Sequence, residues 1–584
     1  MKKKIFALLS ILLSAALLSA CTAIPVADTE LADQSATAAQ TEGGENEETT
    51  GEMDFSFTDR ELAGTYDADE VVTLAAADQI EITKAGTYLL TGSYGCITVA
   101  VGDEEKVQLI LENATISNAE GPAIYIQSGD KVFITLAEGS TNVVSDGASY
   151  ELIDGETTVD GAIFSRADLT INGSGALSIS GNCKHGVVSK DDLVIAAGSL
   201  TVTAQNVGLD GKDCVKISGG SIQITAGSDG IRSDNTEDAT RGYVYIDGAA
   251  LQIAAGNDGI QAETALNITN SQISIAAGSG SQSSLTSSEE SYKGLKAGTD
   301  ITIAGGTCQI NSQDDCIHSN GNVAIMDGSF ALSSGDDGIH ADTELSISGG
   351  TIDVNKSYEG LESTTIRISG GNISLIASDD GLNAAGGNDG SAMGGRFGMG
   401  GFSSSTGELI ISGGYVLVDA DGDGLDANGT LTITGGVVLV KGPENSGNGA
   451  LDYDGSASIS GGVLIALGSS GMAQSIAGSE TQGVVACTFS YLTGSFLVCD
   501  SDGTVVASVN SDKTYNCAIV SSPLIQSGST YSVVIGAEVS GADANGYAEN
   551  ASYTGGTVLG SLEATTGYSS SGMGGGMGGG GGRR

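Results

Sequence analysis

Gly335-Asp-Asp-Gly-Ile-His-Ala-Asp342 decides the fold, because close variants of it return along most of the 584-residue chain. Ser378-Asp-Asp-Gly-Leu-Asn-Ala384 is one such copy. With the glycine as marker, copies fall at Gly186, Gly208, Gly230, Gly259, Gly294, Gly338, Gly360, Gly381, Gly424 and Gly449, and Cys316 takes the glycine position between Gly294 and Gly338. The commonest interval is 22 residues. Self-similarity at such a length is the signature of a solenoid, whose repeats bury their apolar faces only against one another.

Between copies lie two alternating apolar runs parted by Gly-Gly, as in Leu345-Ser-Ile-Ser-Gly-Gly-Thr-Ile-Asp-Val354 and Thr365-Ile-Arg-Ile-Ser-Gly-Gly-Asn-Ile-Ser-Leu375. A period of two is strand, not helix. The motif adds a third strand, with Ile339 and Ala341 expected inward and His340 outward. Three strands per turn describe an all-β fold, a right-handed parallel β-helix. Leucine-rich repeats would require regular leucines, and a left-handed β-helix would show a hexapeptide rhythm. The 90 glycines suit a structure built largely of turns.

The β-helix is expected over residues 58–468. A small antiparallel β cap is expected over 469–560, from hairpin-like runs such as Gly494-Ser-Phe-Leu-Val-Cys499 and Thr530-Tyr-Ser-Val-Val-Ile535. A Gly/Met-rich tail over 561–584 and a loop of similar composition around Gly394-Gly-Arg-Phe-Gly-Met-Gly-Gly401 read as low complexity. At the other end, a basic start and an apolar stretch lead to Leu18-Ser-Ala-Cys21, which reads as a signal peptide over 1–20 with lipid attached to Cys21. An acidic, disordered tether over 21–57 follows. These features predict a monomer held by its lipid on the extracellular face of a bacterial cell membrane.

Acidic residues number 72 against 23 Lys plus Arg, a formal charge of −49 that excludes nucleic acid as a partner. The acids stand in register. Immediately before the marker come Asp229, Asp258, Lys293, Asp315, Asp337, Glu359, Asp380 and Asp423. Two residues after it come Asp210, Arg232, Gln261, Lys296, His318, His340, Glu362, Asn383 and Asp426, with Asp452 close to the same station. Adjacent coils of a parallel β-helix stack at about 4.8 Å. Like charges that close repel by about 1 to 4 kcal/mol, so the side chains splay into water or hold a cation.

Oxygen-rich sites of this kind select Ca²⁺ over Mg²⁺. The candidate ligands are Asp229, Asp258, Asp314, Asp315, Asp336, Asp337, Asp379, Asp380, Asp421, Asp423 and Asp426. Asp-Gly is also ordinary turn chemistry, but doubled acids such as Asp336-Asp337 exceed what a turn needs. The run from Asp419 to Asp426 lacks the remainder of an EF-hand loop. His318 and His340 share one station, and a surface stack is the expectation, with transition-ion binding as the alternative. The eight cysteines after Cys21 form no CxxC pair, which leaves a zinc ribbon unsupported. Cys487 and Cys499 flank an expected hairpin at Thr493-Gly494, where a disulfide is an open expectation.

With its lipobox, 22-residue coils and repeated Asp-Asp-Gly phrase, the chain from about Phe55 to Ala537 resembles a family of secreted carbohydrate-binding parallel β-helix proteins, similar in fold to polysaccharide lyases. The resemblance implies binding of cellulose, other plant cell-wall polysaccharide and acidic sugars, calcium as the bound ion, and binding favoured over lyase activity. Acidic sugar on so acidic a surface would need Ca²⁺ bridges. Neutral glucan would lie on a flat face and stack on aromatics, for which Tyr292, Tyr358, Tyr415 and Tyr453 are candidate platforms. One rival reading is a calcium-dependent pectate-type lyase with Lys296 or Lys293 as base. Another is a surface scaffold or adhesin with structural calcium.

Overall fold

The protein is described by a computed structural model over residues 52–150, 159–283, 291–385, 407–567 and 571–572. The signal, the lipid site at Cys21, most of the tether, the Gly394–Gly401 loop and most of the tail lie outside the described residues. Among the described residues, no helix is long and apolar enough to cross a membrane.

Each coil contributes three strands to three parallel stacks. The motif strands form one stack, in which Ile317–Ser319 pairs with Leu295–Ala297 below and Ile339–Ile347 above. The two alternating runs form the others: Val323 and Ile325 pair with Leu345 and Ile347 in the second, and Phe330 pairs with Cys308 and Ile352 in the third. The parallel β-helix is therefore observed. Inward positions stack like on like: Ile317, Ile339, Leu361, Leu382, Leu425 and Leu451 make one column without solvent exposure, each side chain worth about 1.5–3 kcal/mol of burial. The core is one continuous cluster from Ile82 to Ile519.

The glycines serve two purposes. A Cβ at marker Gly338 would lie 2.5 Å from the Gly360 carbonyl oxygen and 2.8 Å from Val354 Cγ1, so close approach of successive coils demands the missing side chain. In the Gly-Gly corners the second residue turns left-handed, as at Gly350 with φ +88°. At the last motif copy the marker is Ala450 rather than Gly449, because the Leu425 N–H bonds to the Ala450 carbonyl and Leu425 pairs with Leu451.

Both ends differ from the sequence reading. The tether was drawn to residue 57, but Phe55 packs 5.2 Å from both Tyr243 and Tyr245, and Lys216 Nζ donates to the Ser56 carbonyl at 2.8 Å. Helix Asp59–Ala63 follows, with Thr58 and Glu61 forming its capping box. At the C-terminal end, Val463–Gly468 pairs antiparallel with Val505–Ser521, which pairs antiparallel with Val484–Cys499. This cap extends past 560, to the paired Thr565. It packs on the outward side chains Leu439, Ile465 and Leu467 of the third stack. Cys487 and Cys499 belong to one strand, so they cannot face each other across a hairpin, and both are free thiols.

Candidate cation and glycan surface

The register of the two polar stations is as the repeat predicts. Asp210, Arg232, Gln261, Lys296, His318, His340, Glu362, Asn383, Asp426 and Asp452 pair successively across the coils of the motif stack. At the station before the marker the acids follow a repeated device. One carboxylate oxygen accepts the backbone N–H of the same station one coil on: Asp229 from Asp258, Asp258 from Lys293, Asp315 from Asp337, Asp337 from Glu359, Asp380 from Asp423, and Asp423 from Gly449. Turn chemistry therefore accounts for one oxygen of each acid. The other oxygen is left for a different partner.

Through the middle coils that partner is a cationic side chain. Arg232 grips Asp210 at 2.9 and 3.2 Å and lies 3.8 Å from Asp229. Lys296 Nζ sits 3.2 Å from Asp258 Oδ2 and 3.1 Å from Ser291 Oγ. Lys293 Nζ, buried, bridges Asp314 Oδ1 at 2.9 Å and Asp315 Oδ2 at 2.6 Å. Burial opposes its charge, but these two carboxylates outweigh burial and hold the ammonium pKa far above its ordinary value. A general base needs the opposite shift, so the geometry argues against Lys293 as a lyase base. Asp315 is likewise held well below the carboxylate range: burial would raise it, and Lys293 and His318 prevail.

His318 and His340 do stack, with ring centroids 4.7 Å apart and planes 18° apart. The expected surface stack is corrected, however, because both rings are buried and His340 has no exposure. Side-chain oxygens of neighbouring residues face their ring nitrogens. His318 Nδ1 lies 2.8 Å from Asp315 Oδ2, and His340 Nδ1 lies 3.2 Å from Asp337 Oδ2. Burial opposes a charged His340, but Asp337, Asp342 and Glu362 more than offset it and raise its pKa strongly.

Beyond this pair the compensation ends. Among the described residues no ion pair reaches Glu359, Asp380, Asp423 or Asp426. Burial, reinforced by the neighbouring acids, pushes Glu359 up to about 9, Asp380 to about 8, Asp426 to about 7 and Asp423 to about 6. Asn383 donates its amide to Glu359 Oε2 at 2.7 Å, and its own Oδ1 is enclosed without a hydrogen-bond partner. A Cβ on Gly422 would lie 2.3 Å from Asp380 Oδ1 and 2.5 Å from Asp379 Oδ1, so glycine admits both carboxylates beside the turn. These oxygens, one of them orphaned, fit a hard cation with oxygen ligands.

Asp421 stands apart from Asp423 and Asp426. Lys513 of the cap reaches it at 2.9 Å and Asp419 at 2.6 Å, an ion-pair partner that no local motif reveals. Asp336 lies beside Asp314 and Asp315, their ligand atoms within 4.8 Å of one another. Sequence reasoning tabulated Glu359, Glu362 and Asn383 by station but did not choose them as ligands, and it missed Asp342. Two tyrosine platforms are engaged elsewhere: Tyr415 donates to Asp543 at 2.7 Å and Tyr453 to the Ser475 carbonyl at 2.6 Å. Tyr358 is exposed beside the acidic coils.

A second surface lies on the third stack. Gln223, Gln252, Ser274 and Gln309 pair in sequence along a shallow groove of about 720 Å³ that carries no charged side chain.

The family described as carbohydrate-binding domain-containing protein matches residues 76–338. A carbohydrate-binding domain-containing protein of Acetivibrio thermocellus is 40% identical over 215 residues, covering 36% of this chain and 75% of the relative. The chain belongs to this carbohydrate-binding family. The solved structure of the polysaccharide lyase-like protein from C. thermocellum, a gadolinium derivative, is 36% identical and covers 36% of this chain and 90% of that one, at a TM-score of 0.35. The family match ends at the marker Gly338. The coils without cationic partners, from Glu359 onward, lie beyond it.

Proposed function

We propose that this carbohydrate-binding protein holds acidic polysaccharide through Ca²⁺ bound along the C-terminal coils of the motif stack, with Asp380, Asp423 and Asp426 as principal ligands and Glu359 and the Asn383 oxygen beside them. The observation that carries this reading is the set of buried Glu359 and half-buried Asp380, Asp423 and Asp426, carboxylates that no ion pair reaches among the described residues. Such a run repels both itself and a polyuronate, and a divalent ion removes both repulsions at once. In this reading the lipid on Cys21 holds the protein at the outer face of the cell membrane, and the surface binds rather than cleaves.

The test is calorimetric titration of the signal-free protein with polygalacturonate, with and without Ca²⁺, while absorbance reports unsaturated uronide. Calcium-dependent heat with flat absorbance is the expected result. Rising absorbance that vanishes in Lys296→Ala makes the protein a lyase. Heat with a soluble neutral glucan but none with polygalacturonate moves the site to the uncharged glutamine groove, which offers amide and hydroxyl groups rather than aromatic platforms.

A further inference from the structure

We propose that Asp337, His340 and Glu362 form a binding site for one divalent transition ion of the zinc class, distinct from the calcium ligands Asp380, Asp423 and Asp426. The three ligand atoms lie within 4.8 Å of one another. His340 Nδ1 faces two carboxylate oxygens at once, Asp337 Oδ2 at 3.2 Å and Glu362 Oε2 at 2.7 Å. A single N–H can point along only one of those directions. Glu362 Oε2 is enclosed and left without a directed hydrogen bond. An ion between the three atoms satisfies all of them. Ligand atoms around a tetrahedral zinc-class ion stand about 3.4 Å apart, close to the separations already present.

The outer contacts are those a metal-bound imidazole requires. The opposite ring nitrogen, Nε2, lies 3.1 Å from Asp342 Oδ1, so an Nε2–H donated there leaves the Nδ1 lone pair for the ion. Asp337 Oδ1 accepts the Glu359 N–H at 3.2 Å, which orients Oδ2 toward the ring. His318 stacks on the other face and fixes the ring plane. Its near-parallel orientation keeps it from sharing the same ion, because both nitrogens cannot aim at one point from stacked planes. A nitrogen ligand with two carboxylates selects zinc-class ions over calcium, which takes oxygen. Access is from the outer side, where Asp342 is 31% exposed and Glu362 12%.

The experiment is titration of chelator-stripped, full-chain protein with Co²⁺, followed by its visible d–d absorption and by calorimetry. One Co²⁺ per chain is expected, retained in a large excess of Ca²⁺. His340→Gln and, on a more exposed side chain, Glu362→Gln are expected to weaken binding by at least about 100-fold, and Asp342→Asn by about 10- to 100-fold. Thermal unfolding checks that each variant folds, and where His340→Gln does not, Glu362→Gln decides. Asp426→Asn should abolish calcium heat and leave the Co²⁺ spectrum unchanged, so failure of the calcium reading and of this one are separable. Absence of Co²⁺ binding, its displacement by Ca²⁺, or its survival at full strength in the folded His340 or Glu362 variant overturns the proposal.

Discussion

The two halves of the acid ladder use one backbone device and resolve its charge in opposite ways. From Asp210 to Asp315 the acids share Arg232, Lys296 and Lys293. From Glu359 to Asp423 the station before the marker carries acids that no ion pair reaches, among the described residues. Pairing of the motif strands runs unbroken across the boundary, His318 to His340 to Glu362 to Asn383, so that register does not dictate the difference. What changes is the residue two places after the marker and whether a lysine replaces the acid before it. Repeat proteins can therefore keep one coil and vary function by the charge at a single station.

The largest break in this comparison is expected from Lys293→Met. It strands Asp314 as a buried, unpaired charge and leaves Asp315 only His318 as a side-chain partner, at a cost of about 3–5 kcal/mol. Urea unfolding should show the loss in metal-free buffer and partial recovery with Ca²⁺, which would convert a cation-paired coil into a calcium coil.

The second prediction concerns pH. Glu359, Asp380, Asp423 and Asp426 have raised folded-state pKa values, between about 6 and about 9. The folded chain thus binds more protons than the unfolded one between the ordinary carboxylate range and those values. Stability contributed by these protonated groups is present at low pH and lost as pH climbs from about 4 to about 9. In chelator, the melting temperature should fall over that window, and Ca²⁺ should flatten the slope. Asp315, held low, acts in the opposite sense, and its contribution disappears only under stronger acid.

Arg232→Gln is expected to cost about 2 kcal/mol, because Arg232 is partly solvated and Asp210 relaxes toward water. Chemical denaturation measures it, and Ca²⁺ should recover less than it does for Lys293→Met. Smallest is Asp426→Asn, which relieves like-charge repulsion and should raise metal-free stability by about 1 kcal/mol. The same variant should lose the calcium-dependent gain, and the pair of scans with and without Ca²⁺ checks both halves of that statement.

Much of this was legible in the chain. The marker glycines, the alternating runs and the polar stations were read from spacing, because a parallel stack converts sequence period directly into spatial neighbourhood. His318 over His340 and Asn383 over Asp426 follow from that arithmetic. Burial did not follow. A residue pointing away from the core was read as a surface residue, yet His340 is wholly covered by carboxylates from its own and the next coil. Nor could period reveal contacts made by parts outside the repeat, such as Lys513 on Asp421 or Ser56 on Lys216.

The sequence by itself determined the coil, its register and which residue types align at each station, since those depend only on local period and on glycine where coils touch. Tertiary structure alone decided which carboxylate oxygens are used by the backbone, which are paired with cations and which stand open. That decision rests on side-chain direction and desolvation, and both are set by neighbours in the adjacent coil or in the cap.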